Sequence, residues 1–364
     1  MTQRGLSAQL RTIGSLDARD RTAWLRFRDA DPALASPYFA LEFAETLAAV
    51  RDDTRILVLS RDGTPAGYLP LHVPRSGIAR PIAGPMGDHH GLITDDPGLA
   101  LDAALSEQSF GLFAYHGALA NQTAFRNFAR EAATPSWYAD LGAGYDAYLA
   151  DLADADAKAM RNLRARQRKL DALGDRVVFR ADDRRREALD ALLTLKRGQY
   201  RATGAMDIFK AGWTNALIDR LFADRTAALG GVLSTLEIDG QLAAGHFGMR
   251  SQSVLHYWFP AYDPAFSGYG PGLALFLRLA EALSDDGIRQ IHLGPGDYDF
   301  KKRLSNRHFD VVQGQIGQAS LVNAWVSGLQ LADRMARALP LGRASYWPGK
   351  ALRRIDNWTA LRAV

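Results

Sequence analysis

The sequence predicts a mixed α/β fold made of two halves with similar topology, and three observations lead to this prediction. Two β-rich patterns lie far apart, "RILVLSRDGTPAGYLPLHV" with Asp62-Gly63 and "VLSTLEIDGQLAAGHFGMR" with Asp239-Gly240. Asp-Gly between alternating apolar segments is a strong hairpin signal, and an Ala-Gly pair follows each turn. A strand, a glycine-rich loop, a helix and another strand follow the second hairpin. We interpret the two hairpins as an internal duplication, with two unrelated hairpins as the alternative.

The segments around the second hairpin justify the individual elements of that half. "RRREALDALLTLKRGQYRATG" and "GWTNALIDRLFADRTAALGG" have the apolar spacing of helices and precede the hairpin. "SVLHYWFPAYD" and "IRQIHLG" predict strands, and "PGLALFLRLAEALSDDG" predicts the helix between them. Pro271 suits the first turn of that helix, and Gly287 suits its end. A strand–helix–strand unit of this length predicts two neighbouring parallel strands.

The chain of 364 residues is long enough for two or three domains. We predict one domain over residues 1–150, a second over 151–318, and a basic amphipathic helical tail over 319–364. In the tail, apolar residues recur at helical spacing and Lys and Arg outnumber Asp and Glu. Packing of this helix on the preceding domain is the expectation, and contact with a membrane surface is the alternative.

Composition excludes several classes of protein. No apolar run is long enough to span a membrane as a helix, and the N-terminus lacks the apolar core of a signal peptide. The absence of cysteine excludes disulfides, thiolate nucleophiles and cysteine zinc sites, and it fits a cytoplasmic protein or one at the inner face of the cytoplasmic membrane. The basic segment "KAMRNLRARQRKL", residues 158–170, suits contact with phosphates or anionic lipid, with a solvated helix face as the alternative.

The stretch "FSGYGPGLALFL", residues 266–277, places three glycines and a proline before an apolar helix. Backbone N–H groups at such a helix start can bind an anion. The spacing departs from the G-x-G-x-x-G pattern of dinucleotide folds, and the Gly-Lys-Ser/Thr of a P-loop is absent. The pyrophosphate of coenzyme A and a tight strand-to-helix turn without a ligand remain as interpretations.

The flanking residues resemble the GNAT acyltransferase superfamily, and within it the FemAB-like branch that includes exopolysaccharide-associated acetyltransferases. The resemblance lies in Pro271-Gly272, in "HLGPGDYDFKK" after the second strand, and in "SPYFALEFAETLA" and "YLPLHV" of the first half. It implies tandem GNAT-like halves, the first degenerate, and an acyl-CoA, most simply acetyl-CoA, as co-substrate. The residues that it assigns to that co-substrate are Trp258, Phe259, Ser267, Gly268, Tyr269, Gly270, Pro271 and Gly272.

The resemblance implies N-acyl transfer to the amino group of a small molecule, sugar or lipid-linked glycan, with peripheral contact with the inner membrane and no nucleic-acid partner. His292 is the first candidate base because an ordinary histidine pKa suits proton transfer at neutral pH, and Asp297 is the second. Tyr257 and Tyr298 are candidate proton donors to the thiolate. Each of these side chains could instead have a purely structural role. Asp88, His256 and Lys301 are the residues assigned to the acceptor.

Other interpretations remain at this stage. Asp88-His89-His90 contains metal-ligand residue types, but neighbouring side chains on a strand diverge and no partner cluster is evident, so no metal is expected. Long-chain acyl transfer to a lipid amine and aminoacyl-tRNA-dependent transfer to a peptidoglycan precursor keep the fold and change the substrates. A non-catalytic nucleotide-sensing protein is the alternative outside enzymology.

Overall fold

The computed structural model describes residues 5–317 and Leu361, and within these residues twelve strands form one sheet. The strands of the first half are β1 (Leu6–Arg11), β2 (Thr54–Arg61), β3 (Thr64–His72), β4 (Ile78–Pro81), β5 (Leu112–Leu119) and β6 (Thr134–Asp140). Those of the second half are β7 (Val177–Arg180), β8 (Gly230–Ile238), β9 (Gln241–Arg250), β10 (Val254–Tyr262), β11 (Gln290–Pro295) and β12 (Arg307–Gly317). Their order across the sheet is β1-β2-β3-β4-β5-β12-β6-β11-β10-β9-β8-β7.

The helices of the described residues pack against this sheet. They are α1 (Ala18–Ala30), α2 (Leu41–Ala48), α3 (Leu101–Ser106), α4 (Thr123–Arg126), α5 (Tyr145–Ala155), α6 (Ala157–Asp171), α7 (Arg186–Thr203), α8 (Gly212–Ala223), α9 (Pro271–Asp285) and α10 (Asp299–Leu304). The predicted helices α7 and α9 are present, and α7 ends at Gly204 in the left-handed conformation. None of the helices described is long and apolar enough to cross a membrane.

The two halves repeat the same series of elements, as the paired hairpins predict. Each runs through a first strand, two helices, a hairpin, a fourth strand, a helix and a fifth strand, and each contains one parallel pair, β4–β5 or β10–β11. Asp62 and Asp239 have φ values of 49° and 52°, and the glycine after each has φ 74°. Positive φ at both central residues is the type I′ geometry that fits a two-residue hairpin. The mixed α/β class and the tandem arrangement are therefore confirmed.

The halves exchange their last strands. β6 pairs with β11 of the second half, and β12 pairs with β5 of the first half, while β6 and β12 pair with each other at the centre. One cluster of buried apolar side chains also includes residues from both halves, such as Phe27 and Tyr68 from the first and Leu192 and Phe247 from the second. Because sheet and core are continuous across the middle, the boundaries at 150 and 318 stay predictions.

The predicted tail helix lies outside the described residues, apart from Leu361. That residue is buried, and its carbonyl oxygen accepts a hydrogen bond of 2.9 Å from Trp213 Nε1 on α8. Leu361 of the predicted tail therefore contacts the second half. The alternative of a membrane contact falls on residues that are not described.

Candidate active site at the junction of the two halves

The two parallel strands of the second half separate at a defined point. β10 and β11 are in register at Val254 with Gln290, Leu255 with Ile291, and His256 with His292, and there the pairing ends. Both strands are irregular just beyond, β10 between His256 and Phe259 and β11 between His292 and Gly294. Because β10 goes on to pair with β9 as far as Tyr262, only its edge toward β11 becomes unpaired. The result is a slot between two strands, with backbone groups of β10 along one wall.

The glycine loop stands where β10 leads into α9. Ser267, Gly268 and Tyr269 lie in a short 3-10 turn, and Gly270 caps α9 in the left-handed conformation with φ 63°. Pro271 occupies the first helical position, as predicted. The N–H of Gly272, at the second position, has no acceptor within the helix. The loop therefore presents the positive end of a helix dipole at the start of α9.

The basic helix α6 lies against this loop. The Lys169 ammonium is 4.8 Å from the centre of the Tyr269 ring. A Cβ on Gly270 would lie 3.0 Å from the Arg166 side chain, so the two are in close contact, and the positive φ of Gly270 favours glycine there. Both cations are exposed, and neither forms an ion pair with another described residue. The sequence predicted contact of this segment with phosphates or anionic lipid, and its last turns face the loop assigned to the co-substrate.

Asp88 of the first half contacts the second half at the point where β10 and β11 separate. Its Oδ2 lies 3.0 Å from Nε2 of His256, and its side chain is 34% exposed while that of His256 is fully buried. Burial is the largest single influence on Asp88 and raises its pKa, but the hydrogen bond and charge of His256, together with Lys301 and His89, outweigh it and lower the carboxyl pKa to about 2. A Cβ on Gly294 would clash with Asp88 at 2.3 Å. The carboxylate thus fits against bare backbone of β11.

Lys301, in the first turn of α10, is a further charged side chain close to Asp88. Its ammonium donates a 2.7 Å hydrogen bond to the carbonyl oxygen of Pro295, and its side chain is largely buried. Burial lowers the pKa of Lys301, and the nearby Asp88 carboxylate acts in the opposite direction. The three residues that the sequence assigned to the acceptor therefore lie together, although they come from β10, α10 and a loop of the other half.

Behind Asp88, three histidine rings face one another. The His89 ring centre lies 5.4 Å from that of His256 and 5.2 Å from that of His292. Burial, followed by the proximity of His256, lowers the pKa of His292 to about 3. The ordinary pKa that made His292 the first candidate base is therefore not found. The statement that Asp88-His89-His90 lacks partners is wrong for His89, because β10 and β11 bring two further histidines to it.

The remaining predicted site residues do not form part of the cluster around Asp88 and the three histidines. Tyr257 is buried and stacks on His246 at 3.8 Å, and Phe259 packs in the core against Phe209. Trp258 Nε1 donates a 2.9 Å hydrogen bond to the carbonyl oxygen of Met86 and so joins the halves. Asp297 and Tyr298 are exposed, and Asp297 is paired with Lys302.

Sequence reasoning missed four residues around the histidines. They are Tyr38, whose hydroxyl donates 2.7 Å to the Met86 carbonyl, Ser36 and Ser136, which contact His89, and Gln290, which contacts His292. Ser36 and Tyr38 lie in "SPYFALEFAETLA", on which the resemblance rests, but no role was assigned to them. For Gln290 the available signal was the alternation along β11, which places it on the same face as His292.

Comparison with known proteins finds a family match in the second half of the chain. Residues 157–302 match the family model described as "Acetyltransferase (GNAT) domain". This stretch of the chain is therefore similar to a GNAT acetyltransferase domain. The matched region contains the glycine loop, the separating strands and the Asp88 partner His256, whereas Asp88 and His89 come from the half outside the match. No curated protein matches the chain.

Two solved structures show the same fold across most of the chain. One is the C-terminal domain (DUF2156) of a putative lysylphosphatidylglycerol synthetase from Agrobacterium fabrum, with 12% identity, a TM-score of 0.52, and coverage of 85% of this chain and 96% of that one. The other is FemX, with 12% identity, a TM-score of 0.55, and coverage of 82% and 96%. At this identity the similarity extends to the fold alone, and it includes the half that the family model leaves unmatched.

Proposed function

We propose that the protein transfers an acyl group, most simply acetyl, from coenzyme A to an amine that is bound between the two halves. The observation that carries the proposal is the position of Asp88. Its carboxylate stands where β10 and β11 of the GNAT domain separate, and it comes from the opposite half. A donor in the slot and an acceptor amine at Asp88 would therefore meet at one place.

The glycine loop and the end of α6 supply the site for the pyrophosphate. The N-terminal turn of α9 offers backbone N–H groups, and Arg166 and Lys169 add two cations beside it. The unpaired edge of β10 beyond His256 offers N–H groups that would polarise the thioester carbonyl. These features fit an acyl-CoA as substrate.

Transfer forms a C–N bond from the neutral amine to the acyl carbon and breaks the C–S bond. The nitrogen releases one proton to solvent and the thiolate that leaves takes up one, so the step has no net gain or loss of protons. Asp88 holds and orients the amine through its negative charge. Of the two tyrosines considered as proton donors, Tyr298 is exposed and accessible, whereas Tyr257 is packed against His246. Tyr298 is therefore the proposed donor. No covalent intermediate on the protein is needed.

The acceptor class rests on the FemAB-like resemblance, and we propose an amino group of a sugar or lipid-linked glycan of a cell-surface polysaccharide. Lys301 next to Asp88 would suit a phosphate carried by such an acceptor. The cations of α6 that do not face the glycine loop would suit the phosphates of a tRNA, so aminoacyl-tRNA is the competing donor.

The donor is tested by thermal shift with acetyl-CoA, a long-chain acyl-CoA, free CoA, an aminoacyl-tRNA and a cyclic dinucleotide. We expect stabilisation by the CoA compounds. R166A/K169A should weaken acetyl-CoA binding roughly tenfold, because it removes two exposed charged contacts of up to about 1 kcal/mol each. K158A/R161A, at the other end of the same helix, removes equal charge and should bind normally.

Absence of stabilisation by every CoA compound would refute the proposal, and equal losses in the two double variants would remove α6 from the site. Stabilisation by aminoacyl-tRNA alone or by the cyclic dinucleotide alone would support the corresponding alternative function. Acyl transfer is then measured with labelled acetyl-CoA and an amino-sugar oligosaccharide, with the product identified by mass spectrometry.

A further inference from the structure

Three buried histidines from both halves of the chain converge behind the proposed acceptor site. His89 follows β4 of the first half, and His256 and His292 form the last pair at which β10 and β11 are in register with each other. We propose that these three imidazoles bind one divalent transition-metal ion, for which Zn²⁺ is the best fit. Neither the family match nor the proposed acyl transfer calls for such an ion.

The spacing of the rings suits a common metal ion. One ring nitrogen from each histidine lies within 4.8 Å of the other two. Metal–nitrogen bonds of about 2.0–2.1 Å at tetrahedral angles bring ring centres to about 5 Å from one another. The observed distances from His89 to His256 and to His292 are 5.4 Å and 5.2 Å. Small rotations of the rings would bring the nitrogens to bonding distance.

Two of the rings have a buried nitrogen without a partner. Nδ1 of His256 and Nδ1 of His292 contact no hydrogen-bonding group, and the two side chains are 0% and 4% exposed. A buried polar atom left unpaired costs about 1–3 kcal/mol, so two in one place need an explanation. A metal ion between the rings would satisfy both.

The outer nitrogens of the same rings have the partners that metal-binding histidines usually have. Nε2 of His256 lies 3.0 Å from Asp88 Oδ2, and Nε2 of His292 lies 2.9 Å from Gln290 Oε1. Such acceptors fix the ring so that its other nitrogen points at the metal, and a carboxylate strengthens the ligand. For His89, hydroxyl groups lie at both nitrogens, Ser136 at 2.8 Å and Ser36 at 3.3 Å. Either nitrogen of His89 could therefore bind the metal while the other retains a hydrogen bond.

The surroundings favour a closed site. Tyr38 packs on His89 and His256, and Phe309 packs on His89 and His292. The Asp88 carboxylate supplies a negative charge, which opposes the repulsion from the nearby Lys301. Since His89 belongs to one half and the other two ligands to the second, the ion would connect the halves directly beneath the acceptor site.

The test uses the full-length protein, stripped with a chelator and reloaded with Zn²⁺ or Co²⁺. We expect one Zn²⁺ per chain after dialysis, a rise of several degrees in the unfolding temperature on Zn²⁺ addition, and the intense visible bands of four- or five-coordinate Co²⁺. H292N should lose all three, and its unfolding temperature should match that of the stripped wild type. H308Q, which alters an exposed histidine of β12, should retain all three.

Folded, stripped wild type that gains neither Zn²⁺ stability nor Co²⁺ bands would overturn the proposal, and so would loss of binding in H308Q with retention in H292N. Should H292N fail to fold, H89N provides the second variant, and metal content with the Co²⁺ spectrum of the wild type still decides. None of these measurements uses acyl transfer, so the metal site and the proposed function can fail independently.

Discussion

At the scale of single residues, the sequence identified in part the group of side chains that we propose for the acceptor. Asp88, His256 and Lys301 were each identified from sequence, and they lie together. The sequence could not show that His89 faces two histidines more than 160 positions away, because that contact depends on the pairing of β10 with β11 and on the exchange of strands. The same limit applies to the pKa of His292, because that pKa depends on burial, which cannot be read from one local stretch of residues.

The residue with the clearest expected effect is Asp88. D88N keeps the shape and removes the charge that would hold the amine, so the KM for the amine should rise about tenfold or more, in line with the loss of a charged contact. The affinity for acetyl-CoA should be unchanged, because the glycine loop is not altered. Steady-state kinetics with each substrate varied in turn measures both, and D154N on the exposed face of α5 is the control. A normal KM for the amine in D88N would exclude the assigned role.

At the scale of elements, local sequence patterns were sufficient to predict turns and helix ends, because these depend on neighbouring residues alone. The Asp-Gly turns predicted both hairpins, and Pro271 and Gly287 marked the start and the end of α9. The contact of α6 with the glycine loop was not predictable, because a run of Arg and Lys indicates a charged helix face and not what it faces.

The β2–β3 hairpin provides a test by pH through His72, which is paired with Thr54 near the open end of the hairpin. Its Nδ1 lies 3.1 Å from Asp53, its Nε2 accepts a 3.0 Å hydrogen bond from the Ala83 N–H, and Arg51 is paired with the same Asp53. Burial chiefly lowers the pKa of His72 to about 4, although Asp53 acts to raise it. The folded state therefore excludes a proton that the unfolded chain binds at about pH 6.5.

Because the unfolded state binds more protons between these pKa values, stability must fall as the pH is lowered from 7 to 5. The part of this loss of unfolding free energy that is due to His72 is about 2 kcal/mol at pH 5. Urea unfolding at both pH values, compared with H72Q, measures it: the difference in free energy of unfolding between the two proteins should shrink by that amount on acidification. Parallel curves for wild type and variant would contradict the assigned environment of His72.

At the scale of the whole molecule, the exchanged strands make the two halves depend on each other. A chain divided after β6 would leave β5 in one fragment without its neighbour β12, and β11 in the other fragment without β6. The buried cluster shared by both halves would also be exposed. Repetition in the sequence predicted two halves, but only pairing across the middle shows that they are interlocked.

We therefore expect one cooperative unfolding transition, with calorimetric and van't Hoff enthalpies in agreement. A protease site inserted between Gly142 and Ala143, in an exposed turn after β6, tests the interlock directly. After cleavage the two fragments should remain together on size exclusion. The strand pairs β5–β12, β6–β12 and β6–β11 and the shared core still connect them. Separately expressed fragments should be unfolded by circular dichroism, since each exposes an unpaired central strand edge. Two transitions in the intact chain, or a fragment that folds alone, would show that the halves are independent domains.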